Sequence, residues 1–161
     1  MAVDMFLKLD GIKGESKDHK HKDEIHIESF SWGLSQTGTH GAGGGGGAGK
    51  VSVHDISITK VVDKSSPELM LACANGKHIK EGLLSVRKAG EKPLEYLKIK
   101  LNDILVSGVQ FAGAGGSDQF TESLSLNFAK FQVEYQEQGA DGAATGGPVL
   151  MGWDVKANQK V

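Results

Sequence analysis

GTHGAGGGGGAGK, residues 38–50, followed by VSVHDISITKVV, residues 51–62, is the stretch whose reading decides the fold. Gly44, four intervening residues, Gly49 and Lys50 match the spacing of a phosphate-binding loop. Such a loop continues with Ser or Thr, whose hydroxyl holds Mg²⁺, and it opens a helix whose N-terminal amides cradle the phosphate. Here the next residue is Val51, and residues 51–62 are rich in β-branched side chains, which reads as a strand. The tract is therefore expected to be a glycine-rich connection between two strands, its glycines free of the steric limits on other residues. A nucleotide site using Gly44, Gly49 and Lys50 is the alternative.

Working outward, most of the chain alternates with period two. Val3, Met5, Leu7 and Leu9 share one face of an N-terminal strand, opposite Asp4, Phe6 and Lys8. The segment ESKDHKHKDE, residues 15–24, is almost wholly charged and reads as a solvated loop. In residues 25–32 the apolar phase changes from Ile25 and Ile27 to Phe30 and Trp32, which implies a bulge or a strand covered on both sides. Further strands are expected at 50–62, 83–88, 94–106, 108–112, 120–138 and 149–155, with a phase slip near Ala129 and Lys130. One helix is legible after residue 64. Ser65 or Ser66 is its N-cap, Ser65 and Glu68 fit a capping box, and Pro67 suits the first turn. Leu69, Met70 and Cys73 form its apolar stripe, and Asn75–Gly76 stops it. The expectation is a mainly β, single-domain β-barrel of about eight strands with one short flanking helix and an extended glycine-rich loop at 36–50.

Bulk properties narrow the function. A chain of 161 residues is the size of one domain and buries roughly 70% of its unfolded surface without a metal or disulfide. A net charge of −2 gives no footprint for nucleic acid or an anionic membrane. Cys73 is alone, so no internal disulfide forms, as fits a reducing compartment. The first fourteen residues carry neither a basic nor an apolar leader region.

No arrangement of side chains points to catalysis. His19 and His21 have a spacing usable by a metal on a strand, but Lys17, Lys20 and Lys22 surround them and no third ligand lies close in sequence. No G-x-S-x-G elbow marks a nucleophilic serine, and Cys73 reads as a small core residue on the helix. Ser29 and Ser31 share a strand face opposite Phe30 and Trp32, either as an ordinary solvent face or as the wall of a lumen. Residues 3–9 and 120–138 are candidate edge strands for pairing between subunits, and the charged loop at 15–24 is a candidate source of weak interface ion pairs.

Several segments, in order, resemble one known family. DGIKGES, HKDEIHIESFSWGLSQ, KVVDKSSPELMLACANGKHIKEGLLSVRKAG, EYLKIKLNDILVSG, ESLSLNFAKFQVEY and GWDVKANQKV are similar to segments of the haemolysin-coregulated protein (Hcp) family, and together they run from Asp10 to Val161. The resemblance implies a β-barrel that closes into a hexameric ring, with rings stacked as the inner tube of a bacterial type VI secretion system. It implies export from the cell without a signal peptide after assembly in the cytoplasm, and small effector proteins held in the lumen. It also implies a surrounding contractile sheath, a tip or spike at the end of the tube, and neither catalytic residues nor a cofactor. Ser29 and Ser31 are then candidates for the lumen wall. Gly38, His40, Gly44, Gly49 and Lys50 are candidates for a loop that locks one ring to the next. A small β-sandwich binding a carbohydrate or peptide remains a third reading.

Overall fold

The computed structural model describes residues 3–38, 49–90 and 92–161. Eleven strands and one helix follow in the order β1 (Val3–Leu9), β2 (Ile25–Ile27), β3 (Ser29–Ser31), β4 (Leu34–Ser35), β5 (Ser52–Val53), β6 (Ile56–Val61), α1 (Ser66–Asn75), β7 (His78–Lys88), β8 (Glu95–Ala112), β9 (Thr121–Tyr135), β10 (Val149–Asp154) and β11 (Gln159–Lys160). Breaks at 28, at 32–33 and at 54–55 and the short β11 add four strands to the expected eight, and the merging of 94–106 with 108–112 into β8 removes one.

Every strand pair is antiparallel, and nine strands belong to one sheet. Its hydrogen-bonded path runs β2–β1–β7–β8–β9, and β9 continues to β6 along residues 121–126 and to β10 along residues 130–135. β6 then pairs with β3. The ladder does not itself close. The circuit is completed by covalent continuity at Glu28, where the strand leaves β1 and joins β6, with the Glu28 amide donating to Thr59 O at 2.9 Å. This corner is the phase change expected between Ile27 and Phe30: one bent strand serves two sides of the barrel. The expected gap between 106 and 108 is instead a β-bulge inside one long β8, with a register shift between Val106 and Gly108. At Asp103, where φ is 53°, the inward phase of β8 passes from Leu101 to Ile104, and β9 answers with Phe131 and Phe128 in unchanged register.

Inward side chains from every wall meet in one cluster that includes Leu7, Ile25, Ile58, Leu84, Leu101, Ile104, Leu126 and Phe131. α1 covers one flank through Leu69 and Ala72, packing on β8. Met70 is exposed, so the helix stripe runs through Leu69, Ala72 and the half-buried Cys73. Pro67 occupies the first turn, and Gly76 at φ 68° ends the helix in the left-handed region that glycine adopts freely. Ser65 does not close a capping box with Glu68. Its hydroxyl donates to Asp63, whose carboxylate also accepts from the Ser65 amide at 2.9 Å.

The charged segment at 15–24 is exposed at Glu15, Lys17, His19, Lys20 and Lys22, as expected of a solvated loop, but it buries Ser16 and His21. Phe6 lies in the polar phase of β1 yet is only 1% exposed, because this loop folds over it. His21 stacks on the Phe6 ring at 4.2 Å and 9°, and the Arg87 guanidinium lies 5.1 Å from the ring centroid. Arg87 Nη1 and Nη2 donate to Asp18 at 2.9 and 2.6 Å, and Nη2 donates also to Asp4 at 3.0 Å. His21 Nδ1 bonds Glu24 at 3.0 Å, and Nε2 bonds Glu95. The large aromatic needs cover, and Asp18, His21 and Glu24 find their partners inside the subunit.

Candidate functional site: the polar wall, the arm and the exposed edge

Three surfaces stand out on this frame. The first is a wall of small polar side chains. Phe30, Ile58, Leu124 and Val109 lie side by side across β3, β6, β9 and β8 in the inward phase. Their neighbours therefore point outward. Ser29, Thr59, Ser123 and Gln110 form one cross-strand row, and Ser31, Ser57, Ser125 and Gly108 form the next. Ser29, Ser31, Ser57 and Ser123 are exposed, and Ser125 and Thr59 half-buried. A shallow depression of about 310 Å³ lies on this surface over β6, β8 and β9. Asp55 fixes one margin: Ser107 Oγ donates to it at 2.6 Å and Asn127 Nδ2 at 2.8 Å. Apart from Gln110, these rows carry only small side chains. Ser57, Thr59, Ser123 and Ser125 were missing from the sequence reading, although their alternation with Ile56, Ile58, Leu124 and Leu126 was a signal for them.

The second surface is a two-stranded arm outside the main sheet. Leu34 pairs with Val53 and Ser35 with Ser52, and beyond them the Gly49 amide donates to Thr37 O at 3.3 Å. Gly38, Gly49 and Lys50 are exposed on this arm, while His40 and Gly44 lie outside the described residues. The base is tied to the core. Trp32 meets Phe131 edge-on at 4.8 Å between ring centroids, and its indole Nε1 donates to His54 O at 2.8 Å. The His54 amide donates to Gly33 O at 3.1 Å, and its Nε2 lies 3.1 Å from Ser35 Oγ. After Lys50 the chain enters β5 and then β6, whereas α1 begins only at Ser66. Lys50 thus has no helix N-terminus behind it, and the geometry of a phosphate-binding loop is not built.

The third surface is the sheet margin. Both proposed edge strands are interior: β1 lies between β2 and β7, and β9 lies between β8 on one side and β6 and β10 on the other. One margin that carries exposed apolar side chains lies on β10 beyond the reach of β11, at Val149, Leu150 and Met151.

Among the described residues the histidines belong to no cluster that could hold a metal ion. His19 is exposed and His21 is buried beneath the loop, with carboxylates at both ring nitrogens. His78 Nδ1 lies 2.6 Å from Asp103, far along the chain from both. The His78 imidazole, with Lys156 beside it, holds the Asp103 carboxyl below the usual carboxylate range.

The comparisons with known proteins agree with this architecture. The model of the family described as "Type VI secretion system effector, Hcp" matches residues 6–135. Protein hcp1 of Pseudomonas aeruginosa is 55% identical over 159 residues, covering 98% of each chain. The crystal structure of Hcp1 from Salmonella typhimurium is similar at a TM-score of 0.81 and 37% identity, covering all of both chains. A structure described as a type six secretion system protein is similar at a TM-score of 0.93 and 31% identity, over 99% of this chain and all of the other. The barrel with its flanking helix, the ordered match along the sequence and these likenesses lead to one conclusion: the chain belongs to the Hcp family of type VI secretion proteins, a β-rich family of secreted structural proteins rather than enzymes.

Proposed function

We propose that this chain, acting as a single domain, is the ring-forming subunit of a type VI secretion inner tube. Six copies close into a ring, and rings stack. The lumen carries small effector proteins for which the ring is receptor and chaperone. The tube is assembled in the bacterial cytoplasm inside a contractile sheath, carries the tip or spike proteins, and leaves the cell by secretion. The observation that supports this best is the polar wall that begins at Ser29 and Ser31 on β3. Two rows of polar side chains, small apart from Gln110, run across four strands over Phe30, Ile58, Leu124 and Val109. Such a surface offers a folded cargo weak hydrogen bonds and no deep apolar trap, so cargo is held and still released.

Within this reading the arm bearing Gly38, His40, Gly44, Gly49 and Lys50 contacts the adjacent ring. Negative-stain imaging and solution mass test the ring directly, and a chain that stays monomeric at high concentration refutes it. Ser31→Gln tests the lumen: its longer side chain narrows the channel and lowers co-purifying cargo while the ring persists. Cargo retained by an intact variant ring removes Ser31 from the lumen. Deleting residues 43–47 tests the arm, with unchanged stacking as the result that rejects its role.

A further inference from the structure

Of the four asparagines in the chain, only Asn75 is followed by glycine, and the pair lies where α1 ends. Asn75, Gly76 and Lys77 are all exposed, and Asn75 and Lys77 line a surface groove of about 480 Å³ between α1 and the start of β7. The Asn75 side chain is held in place. Its Oδ1 accepts from the Lys77 amide at 2.9 Å. The ring closed by this bond contains both Asn75 Cγ and the Gly76 nitrogen, so the carboxamide is folded back over the next peptide bond. The donated proton polarises the Cγ carbonyl and stands where negative charge would develop on Oδ1. Gly76 has φ 68°, and a Cβ there would meet nothing within 4 Å, so its nitrogen is unshielded and open to solvent. Asn75 is the last residue of α1, and its carbonyl accepts no bond within the helix. Turning its ψ to close a small ring therefore costs the helix little.

We propose that Asn75 is a self-modification site, at which the folded chain deamidates and turns the end of α1 from neutral to anionic. The Gly76 nitrogen, its proton taken by hydroxide, forms a bond to Asn75 Cγ. The Lys77 amide holds the oxyanion on Oδ1, and collapse of the intermediate expels Nδ2 as ammonia, with a proton from water. The product is a succinimide ring joining residues 75 and 76. Water opens it at either carbonyl, leaving a carboxylate at 75 and either aspartate or isoaspartate in the main chain. Nothing is oxidised or reduced. Asp141–Gly142 shows why the carboxamide matters. Asp141 Oδ1 accepts from the Ala143 amide at 3.1 Å and Gly142 has φ 81°, the same turn, but a carboxylate is a poor electrophile. The new charge at 75 meets the negative end of the helix dipole, and the last turn carries no basic residue to offset it. That turn should fray.

The test incubates the full wild-type chain in mildly alkaline buffer, with and without urea, and reads its peptides by mass spectrometry and by isoaspartyl methyltransferase labelling. In the folded chain residue 75 should gain the mass of an NH₂ exchanged for OH and carry isoaspartate. Asn102, Asn127 and Asn158 should not change: Asp103, Phe128 and Gln159 follow them, and Asn127 Nδ2 is held by Asp55 at 2.8 Å. Conversion confined to the urea-unfolded chain would mean that the turn protects Asn75, and it overturns the proposal. Equal conversion at the other three asparagines overturns it as well. Asn75→Gln, whose carboxamide would have to close a larger ring, should keep its mass over the same interval. A mass gain there at the wild-type rate would show that the Gly76 nitrogen is not the attacking group. Asn75→Asp sets the charge without the reaction, and amides of the last turn of α1 should then exchange faster than in the wild type. Unchanged exchange overturns the effect on α1.

Discussion

Lys60 on β6 and Glu122 on β9 face each other in register, with the ammonium 3.2 Å from both carboxylate oxygens and neither side chain exposed. Lys60 Nζ also donates to Asp63 Oδ1 at 3.1 Å, Ser66 Oγ at 3.2 Å and Val61 O at 3.1 Å, so one cation joins two strands to the start of α1. Removing Lys60 leaves Glu122 buried without its counterion, which typically costs about 3–5 kcal/mol, whereas removing Glu122 leaves Lys60 its contact with Asp63. Lys60→Met should lower unfolding stability on that scale, and Glu122→Leu by less. The double substitution should cost much less than the sum, because neither charge remains. Denaturant unfolding of the four chains checks this, and additive losses would show that the pair is not coupled.

This pair also marks the limit of what the sequence makes legible. Period-two alternation exposed most of the strands, and the cap and stop residues exposed α1. Lys60 is in phase with Ile56 and Ile58, and Glu122 with Leu124 and Leu126, but a charge in an apolar phase gains meaning only when its partner is known to lie opposite. The partner is 62 residues away and set by register. The cover that the loop at 15–24 gives Phe6 is hidden for a similar reason. Its charges indicate solvent until Phe6 and Arg87, distant in sequence, are placed beneath it. The Ser29 and Ser31 face was visible as alternation, whereas the width of its wall required the β6–β9–β8 register. Edge strands are the least legible, because an edge is defined by a missing neighbour.

Asp18 and Arg87 make acid sensitivity predictable in sign. The hydrogen bonds from the Arg87 guanidinium hold the Asp18 carboxyl far below the usual carboxylate range, outweighing its partial desolvation. A group depressed on folding contributes stability that is complete above its unfolded value, about 3.9, and is lost as pH falls toward the folded one. Asp18→Asn should therefore destabilise the chain by an amount that is constant above about pH 5 and shrinks with increasing acidity below the ordinary carboxylate range. Chemical denaturation of both chains from pH 7 to pH 2 measures it. A difference independent of pH would remove the ion pair as the cause.

Gly14 and Gly82 separate two ways in which a methyl group is excluded. A Cβ on Gly14 would meet Glu24 O at 2.5 Å and Ile25 Cα at 2.6 Å, the backbone of the returning loop arm. On Gly82 it would meet Ile104 Cδ1 at 2.7 Å and Leu9 Cδ2 at 2.9 Å, the ends of two side chains. Side chains can turn aside, so Gly82→Ala should cost about 1–3 kcal/mol, in the range of core overpacking. Gly14→Ala must part the backbone pairing of Gly14 N with Asp23 O at 2.8 Å and Ser16 N with Glu24 O at 3.0 Å. It should cost more and free the loop from Phe6. Thermal unfolding gives the order, and amide exchange at Ser16 and Asp23 reads the loop; equal effects from both glycines would contradict the distinction.

Lys50 offers a direct check on the nucleotide alternative. Titration with a nucleoside triphosphate and Mg²⁺, followed by calorimetry, should give no saturable heat, and Lys50→Ala should not alter the trace. Saturable binding abolished by Lys50→Ala would restore the phosphate-loop reading despite the strand that follows.

Trp32 decides whether the arm is held by the core or merely attached to it. The indole packs edge-on to Phe131 and Phe128 and donates to His54 O at 2.8 Å, just where the chain returns from the arm. Trp32→Phe keeps an aromatic ring against the core and deletes the donor. A hydrogen bond of this kind is worth about 0.5–1.5 kcal/mol, so global stability should fall by about that amount. The local effect should be larger than the global one. With His54 O released, the Gly33–His54 bond and the two residue pairs of β4 and β5 are the nearest contacts to loosen. Amides of β4 and β5 should exchange faster while those of β8 and β9 do not change. If the arm is the contact between rings, the variant should form single rings as readily as the wild type and stack them less. Faster exchange throughout the sheet would mean that Trp32 serves the core alone.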